Sequence, residues 1–179
     1  MNAAKAPPDS VYFYTFHKCA SSLFSGYVLK NVDGLENVNY AREIYSGDRP
    51  VDISFEKRGK IYGPIRLSAD KQSPVYHSLV ARTARRRFVW GKRAVFMIRD
   101  PRDVLVSQYY SFGFSHGLSK SKPIRERQLE LRSEIQRMSL DEYAIKNAEE
   151  VRSNFRRLRV LYRWSGRGVI TVSYTHLRA

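Results

Sequence analysis

A predicted strand that runs directly into a predicted helix is the feature that most restricts how this chain can fold. Residues 11–16 read VYFYTF, and such a run of aromatic and β-branched residues predicts a buried strand. Lys18, Ser21 and Ser22 follow at once, and a helix is expected from Ser21 to Lys30. At such a junction, free backbone N–H groups and the positive end of the helix dipole favour an anion. We therefore predict a phosphate or sulfate site around Lys18.

A second strand-to-helix junction has the same character. Residues 93–98 predict another buried strand, and the segment after it begins with helix-start residues. Asp100 is a natural N-cap, and Pro101 suits the first helical position. Arg99 at the strand end and Ser107 further along the helix can then converge on one anion. A well-capped helix alone would not explain Arg99 and Ser107 together.

The first of these segments resembles the 5′-phosphosulfate loop of sulfotransferases that use 3′-phosphoadenosine 5′-phosphosulfate, a loop usually written P-K-T-G-T-T-W. Lys18 stands at the lysine of that pattern, and Ser21 and Ser22 stand at its two threonines. Leu23 stands at the tryptophan. The chain departs further from the pattern in having His17 for proline, Cys19 for threonine and Ala20 for glycine.

The second segment is similar to the 3′-phosphate motif of the same family, R-[DN]-P-[RK]-D-x-x-x-S-x-Y-Y. Arg99 and Ser107 stand at the arginine and serine of this motif. Tyr109 and Tyr110 stand at its tyrosine pair. The two halves of one cofactor site therefore occur in the family's order.

A third similarity lies near the end of the chain. Residues 168–173 predict a buried strand, and Tyr174 after it resembles a family tyrosine that lies near the adenine. Thr175 and His176 replace the acidic pair that the family has there. Because the resemblance covers only the first part of a family domain, we expect residues 11–179 to form a single domain that is incomplete at its C-terminus.

The resemblance implies a three-layer α/β/α fold with a central parallel sheet, in the P-loop NTPase-like architecture of sulfotransferases. It also implies transfer of a sulfuryl group from 3′-phosphoadenosine 5′-phosphosulfate to a hydroxyl or amine acceptor, without a metal. Lys18 would stabilise charge on the leaving phosphate, and backbone N–H groups within Cys19–Leu23 would hold the 5′-phosphate. Arg99 and Ser107 would hold the 3′-phosphate, and Tyr174 would lie near the adenine.

Transfer also needs a general base, which the sequence does not identify by a motif. His116 is the first candidate, and His77, Glu56 and Asp70 are the others. The acceptor stays open among carbohydrates, small alcohols or phenols, and peptide tyrosines. A small-molecule or carbohydrate acceptor is expected.

Net charge is compatible with this interpretation and leaves two other classes open. The chain of 179 residues has a formal charge of +15 and a pI of about 10.1, which predicts an anionic partner. One alternative is a P-loop-type phosphotransferase, although the loop G-x-x-x-x-G-K-[ST] is absent. The other is a non-catalytic basic domain that binds anions or nucleic acid. No nucleic-acid-binding motif is present, so a specific nucleic-acid partner is not expected.

Cysteine and histidine usage indicates the compartment. Cys19 is the only cysteine, which is typical of a reducing compartment, and it lies near a helix N-terminus, where a thiol pKa can fall. The histidines show no metal-ligand spacing. No signal-peptide pattern and no apolar run of about 18 residues occur. We therefore expect a cytoplasmic protein with no metal and no membrane span.

The rest of the chain predicts strands that alternate with helices, and hence a parallel sheet with ligands at the carboxyl ends of its strands. A loose arm is expected over residues 1–10 and a polar, turn-rich connection over 31–52. The other expected elements are a short strand over 60–66, helices over 73–87, 124–138 and 140–162, and a loop over 112–123.

Overall fold

Five parallel strands form one sheet in this protein. The computed structural model describes residues 6–46, 51–67, 73–165 and 169–173. The strands are β1 (Val11–Thr15), β2 (Glu36–Val38), β3 (Lys60–Arg66), β4 (Arg93–Ile98) and β5 (Val169–Ser173). Every pairing between them is parallel, which confirms the predicted α/β class with a parallel sheet.

Helices connect the strands, and two of them change their winding. The helices are α1 (Ser21–Leu23), α2 (Tyr40–Ser46), α3 (Pro74–Thr83), α4 (Arg86–Val89), α5 (Pro101–Tyr110), α6 (Lys122–Gln136) and α7 (Leu140–Ser165). α1 continues as a π-helical turn, Phe24–Val28, and a 3-10 turn, Leu29–Asn31. α5 continues as a π-helical turn, Ser111–Ser115. Both changes occur in helices that follow a predicted anion loop.

Helices lie against both faces of the sheet. On one face, the hydroxyl of Tyr14 in β1 donates to the carbonyl of Thr83 in α3 at 3.0 Å. Side chains alternate along a strand, so Phe13 faces the other way, and its ring lies 5.0 Å from that of Phe24. The sheet is therefore covered on two sides, as a parallel sheet requires and as a three-layer α/β/α arrangement has it.

Aromatic pairs hold the neighbouring strands together in the core. Tyr12 of β1 stacks on Tyr62 of β3 with ring centres 5.3 Å apart, and Tyr14 stacks on Phe96 of β4 at 5.4 Å. All four side chains are buried. Such rings bury large areas and fix the lateral position of β1 between its two neighbours.

The strand order, β2-β3-β1-β4-β5, creates a crevice at the carboxyl ends of β1 and β4. From β1 the chain crosses to the β2 side of the sheet, whereas from β4 it continues to β5 on the opposite side. The connections that leave these two adjacent strands therefore diverge. In open α/β sheets, ligands bind at such a point. Lys18 and Arg99 follow these two strands.

Most predicted elements are present. The expected strands at 11–16, 60–66 and 93–98 are β1, β3 and β4, and the described part of 168–173 is β5. The helix expected over 140–162 is confirmed as the single helix α7. Residues 73–87 instead divide into α3 and α4, because the chain leaves the helical conformation between Ala84 and Arg85.

Two expected connections are wrong in part. The segment 31–52 is not only turns, because it contains β2 and α2, and α2 buries Ala41 and Ile44 against the core. The loop expected over 112–123 begins later, after the π-helical turn Ser111–Ser115. At the N-terminus, Ser10 donates its N–H to the carbonyl of Lys57 at 2.9 Å, so this end of the expected loose arm is held against the next segment.

Replacing Gly63 with alanine should destabilise the contact between β3 and β1. Gly63 has a φ of +152°, and a Cβ there would lie 2.7 Å from the carbonyl oxygen of Phe13. Since that atom belongs to the backbone of β1, we expect a loss of about 2 kcal/mol or more in unfolding free energy. Urea denaturation measures this loss.

The matched control is Gly26→Ala. A Cβ at Gly26 meets nothing within 4 Å, and alanine suits a helical position better than glycine does. This variant should be as stable as the parent chain or more stable. If both alanine variants unfolded at the same urea concentration as the parent, the described packing of β3 on β1 would be contradicted.

Candidate functional site

The loop after β1 turns sharply because two of its residues have left-handed backbone conformations. Lys18 has a φ of +64° and Ala20 a φ of +54°. Ala20 then precedes α1, and its carbonyl accepts the N–H of Phe24 at 3.0 Å. A left-handed residue is unstrained only for glycine, which gives a physical reason for a glycine at this position in the family pattern.

A small cavity of about 290 Å³ lies at the carboxyl ends of β1 and β4. It is lined by residues from four segments that are far apart in the chain. These residues are His17, Lys18, Ala20, Ser21, Ser22, Arg66, Arg99, Ser107 and His116. The structure thus brings most of the residues predicted for the site around one space.

Lys18 reaches into this small cavity without an acidic partner among the described residues. Its Nζ donates to Ser111 Oγ at 2.9 Å. Burial lowers the pKa of Lys18 below its usual value, and the positive charges of Arg99 and Arg66 lower it further. A partly desolvated ammonium group beside two guanidinium groups favours an anion in the cavity.

Arg99 is held in place by the β1 loop and by its own helix. Its guanidinium donates to the carbonyl of Lys18 at 3.1 Å, and its Nε lies 3.6 Å from the carboxylate of Asp103. Asp100 caps α5 as predicted, since its side chain accepts the N–H of Arg102. Ser107, further along the same helix, lines the same cavity.

Arg66 is a residue that sequence reasoning missed as a site residue. It ends β3, which pairs with β1, and its guanidinium donates to Ser21 Oγ at 3.2 Å. The buried hydroxyl of Tyr76 accepts its backbone N–H at 2.6 Å. No carboxylate in the described part of the chain forms an ion pair with Arg66. The available signal was an arginine at the end of the predicted strand over 60–66.

Cys19 and Leu23 do not line the small cavity. The Cys19 side chain is fully buried, and burial raises its thiol pKa to about 11, so the expectation that this pKa could fall is wrong. Only the backbone of Cys19 could serve the site. Leu23 is exposed at 57% on the outside of α1. Tyr174 lies outside the described residues.

The imidazole of His116 belongs to the site. Its Nδ1 lies 3.5 Å from Ser111 Oγ, the hydroxyl that also accepts from Lys18. Desolvation and the positive charges of Lys18 and Arg66 lower its pKa, which keeps the ring neutral and able to accept a proton at pH 7.

The other candidate bases lie elsewhere or are not described. His77 is exposed on α3, and Glu56 is an exposed carboxylate that lies 3.4 Å from Lys60. Neither residue lines the small cavity. Asp70 lies outside the described residues. Position therefore favours His116 among the four.

The tyrosine pair has a packing role. Tyr109 donates its hydroxyl to the carbonyl of Met138 at 2.9 Å and packs against Tyr143 of α7. Tyr110 is exposed at 55%. Neither tyrosine lines the small cavity, so the pair positions α5 against α7.

A second and larger space adjoins the first. This large cleft has a volume of about 1500 Å³ and is bounded by α1, β2, α2, the loop after residue 115, α6 and α7. Four residues line both spaces, and they mark the junction between them. The junction residues are His17, Ser22, Arg66 and His116.

Comparison with known proteins gives no further assignment. No protein-family model, no curated protein and no solved structure matches the chain. Within the described ranges, no three His, Cys, Asp or Glu side chains are grouped so that they could hold a metal ion. In the same part of the chain, no helix is long and apolar enough to cross a membrane. The site is therefore interpreted from its own geometry.

The stability of the chain should fall as the pH is lowered below neutrality, because of His17. Burial, together with Arg66, His116 and Lys18, lowers the pKa of His17 from its ordinary 6.5 to about 3. Between these two values the unfolded chain binds a proton that the folded chain does not. Stability is therefore full above pH 6.5 and falls by about 1.4 kcal/mol per pH unit below it.

Urea denaturation at pH 7, 6 and 5 measures this slope for the parent and for His17→Phe. The phenylalanine keeps an aromatic ring beside Phe112 but removes the titrating group, so its slope should be shallower. The exposed His77→Phe is the control and should keep the slope of the parent. An unchanged slope in His17→Phe would rule out a neutral, buried His17.

Proposed function

We propose that this chain is a sulfotransferase that moves a sulfuryl group from 3′-phosphoadenosine 5′-phosphosulfate to a hydroxyl or amine acceptor, on a P-loop-like sulfotransferase fold. One observation carries the proposal. Lys18, Ser21 and Ser22 of the first motif line the same small cavity as Arg99 and Ser107 of the second. A capped helix after a strand would not require the two motifs to share a space.

The charge of the small cavity supports a ligand with several anionic groups. Lys18, Arg66 and Arg99 all line it, and like charges held together repel unless an anion lies between them. A cavity of about 290 Å³ is at the lower end of ligand pockets, which run from about 300 to 1,000 Å³. It suits the phosphate and sulfate groups of the co-substrate, and the nucleoside would extend beyond it.

The roles of the residues follow from these charges. In the transfer, the bond between sulfur and the bridging oxygen breaks while a bond from sulfur to the acceptor oxygen or nitrogen forms. The electron pair of the broken bond goes to the leaving 5′-phosphate, where Lys18 would stabilise the growing negative charge. Arg99 and Ser107 would hold the 3′-phosphate. Catalysis is then mainly positioning and charge stabilisation.

The junction between the small cavity and the large cleft is the place that we assign to the transfer. The co-substrate would occupy the small cavity and the acceptor the large cleft, so the sulfuryl group would pass between them there. Arg66 at the junction would hold the sulfuryl oxygens. Neutral His116, also at the junction, would take the acceptor proton.

Binding of the desulfated nucleotide tests the cofactor assignment. Arg99→Ala should weaken 3′,5′-bisphosphoadenosine about tenfold or more in calorimetric titration, since it removes a charge-assisted contact. Adenosine 5′-phosphate, which lacks the 3′-phosphate, should bind the parent more weakly and be insensitive to this change. The exposed Arg125→Ala on α6 is the control and should bind like the parent.

The two alternative functions are tested in the same titration. Preference for ATP over the bisphosphate would favour a phosphotransferase. Tighter binding of short duplex DNA than of either nucleotide would favour a basic nucleic-acid-binding domain. Equal binding of the two adenosine phosphates would remove the role of Arg99 and Ser107.

Lys18→Ala should reduce turnover more than nucleotide affinity, because its charge matters most as the leaving group develops. Loss of one such stabilising group typically lowers the rate about 100-fold or more. Release of sulfate from 3′-phosphoadenosine 5′-phosphosulfate, with water as acceptor, measures turnover without a known acceptor. Lys57→Ala, an exposed lysine away from the cavity, should leave the rate unchanged. A parent-like rate in Lys18→Ala would exclude its catalytic role.

A further inference from the structure

The large cleft contains two buried polar atoms without hydrogen-bond partners. In the described part of the chain, neither Asn37 Nδ2 nor Tyr45 Oη has a hydrogen-bond partner. Asn37 lies in β2 and Tyr45 in α2, so the two come from consecutive elements. Both residues line the large cleft.

Such atoms need a physical reason. Buried polar groups are nearly always hydrogen-bonded, because a donor removed from water without a partner costs free energy. The neighbouring hydroxyls show the usual arrangement. Tyr40 of α2 donates to the carbonyl of Ser54 at 2.5 Å, and Tyr62 accepts the N–H of Glu56 at 2.6 Å. Asn37 and Tyr45 are the exceptions within this part of the fold, and both face a cleft that can admit a ligand.

The position of these residues connects them to the junction. Ser119 Oγ donates to the carbonyl of Tyr45 at 2.9 Å, which fixes the loop after residue 115 against α2. The same loop carries His116 at the junction. A ligand that contacts Tyr45 therefore lies in the cleft whose other end is formed by His116.

We propose that Asn37 and Tyr45 form a binding site for a polyhydroxylated ligand of the saccharide class. An amide N–H donates, and a phenol both donates and accepts, so the pair matches neighbouring hydroxyls that also do both. A flat phenol offers one oxygen and would leave one of the two groups unpaired. Asn39, Gln128 and Asn147 add further neutral polar side chains to the wall. As the acceptor subsite this inference rests on the proposed function, whereas as a binding site it does not.

Saturation-transfer NMR with the disaccharide cellobiose tests the site, with 4-nitrophenol as the flat competitor. The parent chain should show transfer to cellobiose, and Tyr45→Phe should weaken this binding about tenfold, since a site built for a hydroxyl contact loses it. Asn37→Leu should weaken binding in the same direction. The control is Tyr40→Phe, which removes a hydroxyl that is already bonded and should bind cellobiose like the parent.

Thermal unfolding of the same variants supplies a second readout that a purely structural role would not reproduce. Removing an unpaired buried group should leave the melting temperature of Tyr45→Phe unchanged or raised, whereas Tyr40→Phe should melt lower. A parent chain that binds no cellobiose, or a Tyr45→Phe variant that binds it equally well, would overturn the proposal.

Two further outcomes separate this proposal from the sulfotransferase assignment. Tyr45-dependent binding of 4-nitrophenol without cellobiose binding would overturn the saccharide class. Cellobiose binding in a chain that does not bind 3′,5′-bisphosphoadenosine would uphold the saccharide site and refute the proposed function.

Discussion

Concentration of positive charge at one edge of the sheet is the constraint around which the rest of the structure is arranged. Lys18, Arg66 and Arg99 end or follow three adjacent strands, β1, β3 and β4, and line one small cavity. Their mutual repulsion opposes folding, so the surrounding structure must hold them rigidly. An anion that enters the cavity gains from charges already in place, without the cost of gathering them.

The rigidity comes from the aromatic centre of the sheet. Tyr12 and Tyr14 stack on rings of the strands at either side, which fixes where β1 ends relative to β3 and β4. The buried hydroxyl of Tyr76 bonds to the backbone at Arg66 and so fixes the end of β3 as well. The core and the site are therefore one construction, because the same strands carry both.

Local sequence predicted the parts of the site that depend on a strand leading into a helix. Lys18 and Arg99 could be found in this way, since each follows an apolar run that forms a strand. Arg66 could not, because only the strand order places the end of β3 beside β1, and that order depends on long-range pairing. Cys19 was misjudged for a related reason, since the backbone angles that turn its side chain into the core leave no mark on composition.

The elements β2 and α2 show a second limit of sequence reasoning. Their segment is polar and contains turn residues, and its helical side rests on Ala41 and Ile44 alone. Tertiary packing against β3 makes up for this weak local pattern. The two unpaired groups of the large cleft, on Asn37 and Tyr45, lie in this segment. The part of the chain that is hardest to predict is thus also the part that carries the saccharide site we propose.

The left-handed conformation of Ala20 has a consequence for how the loop can vary. Ala20 is left-handed and Ser21 after it is right-handed, and backbone of opposite hand at successive residues curls the N–H groups into an anion-binding nest. A nest binds through the main chain, so side-chain replacements change it little as long as the backbone angles are kept. The loop can therefore hold cysteine and alanine where related loops hold threonine and glycine, and still present the same concave array of donors.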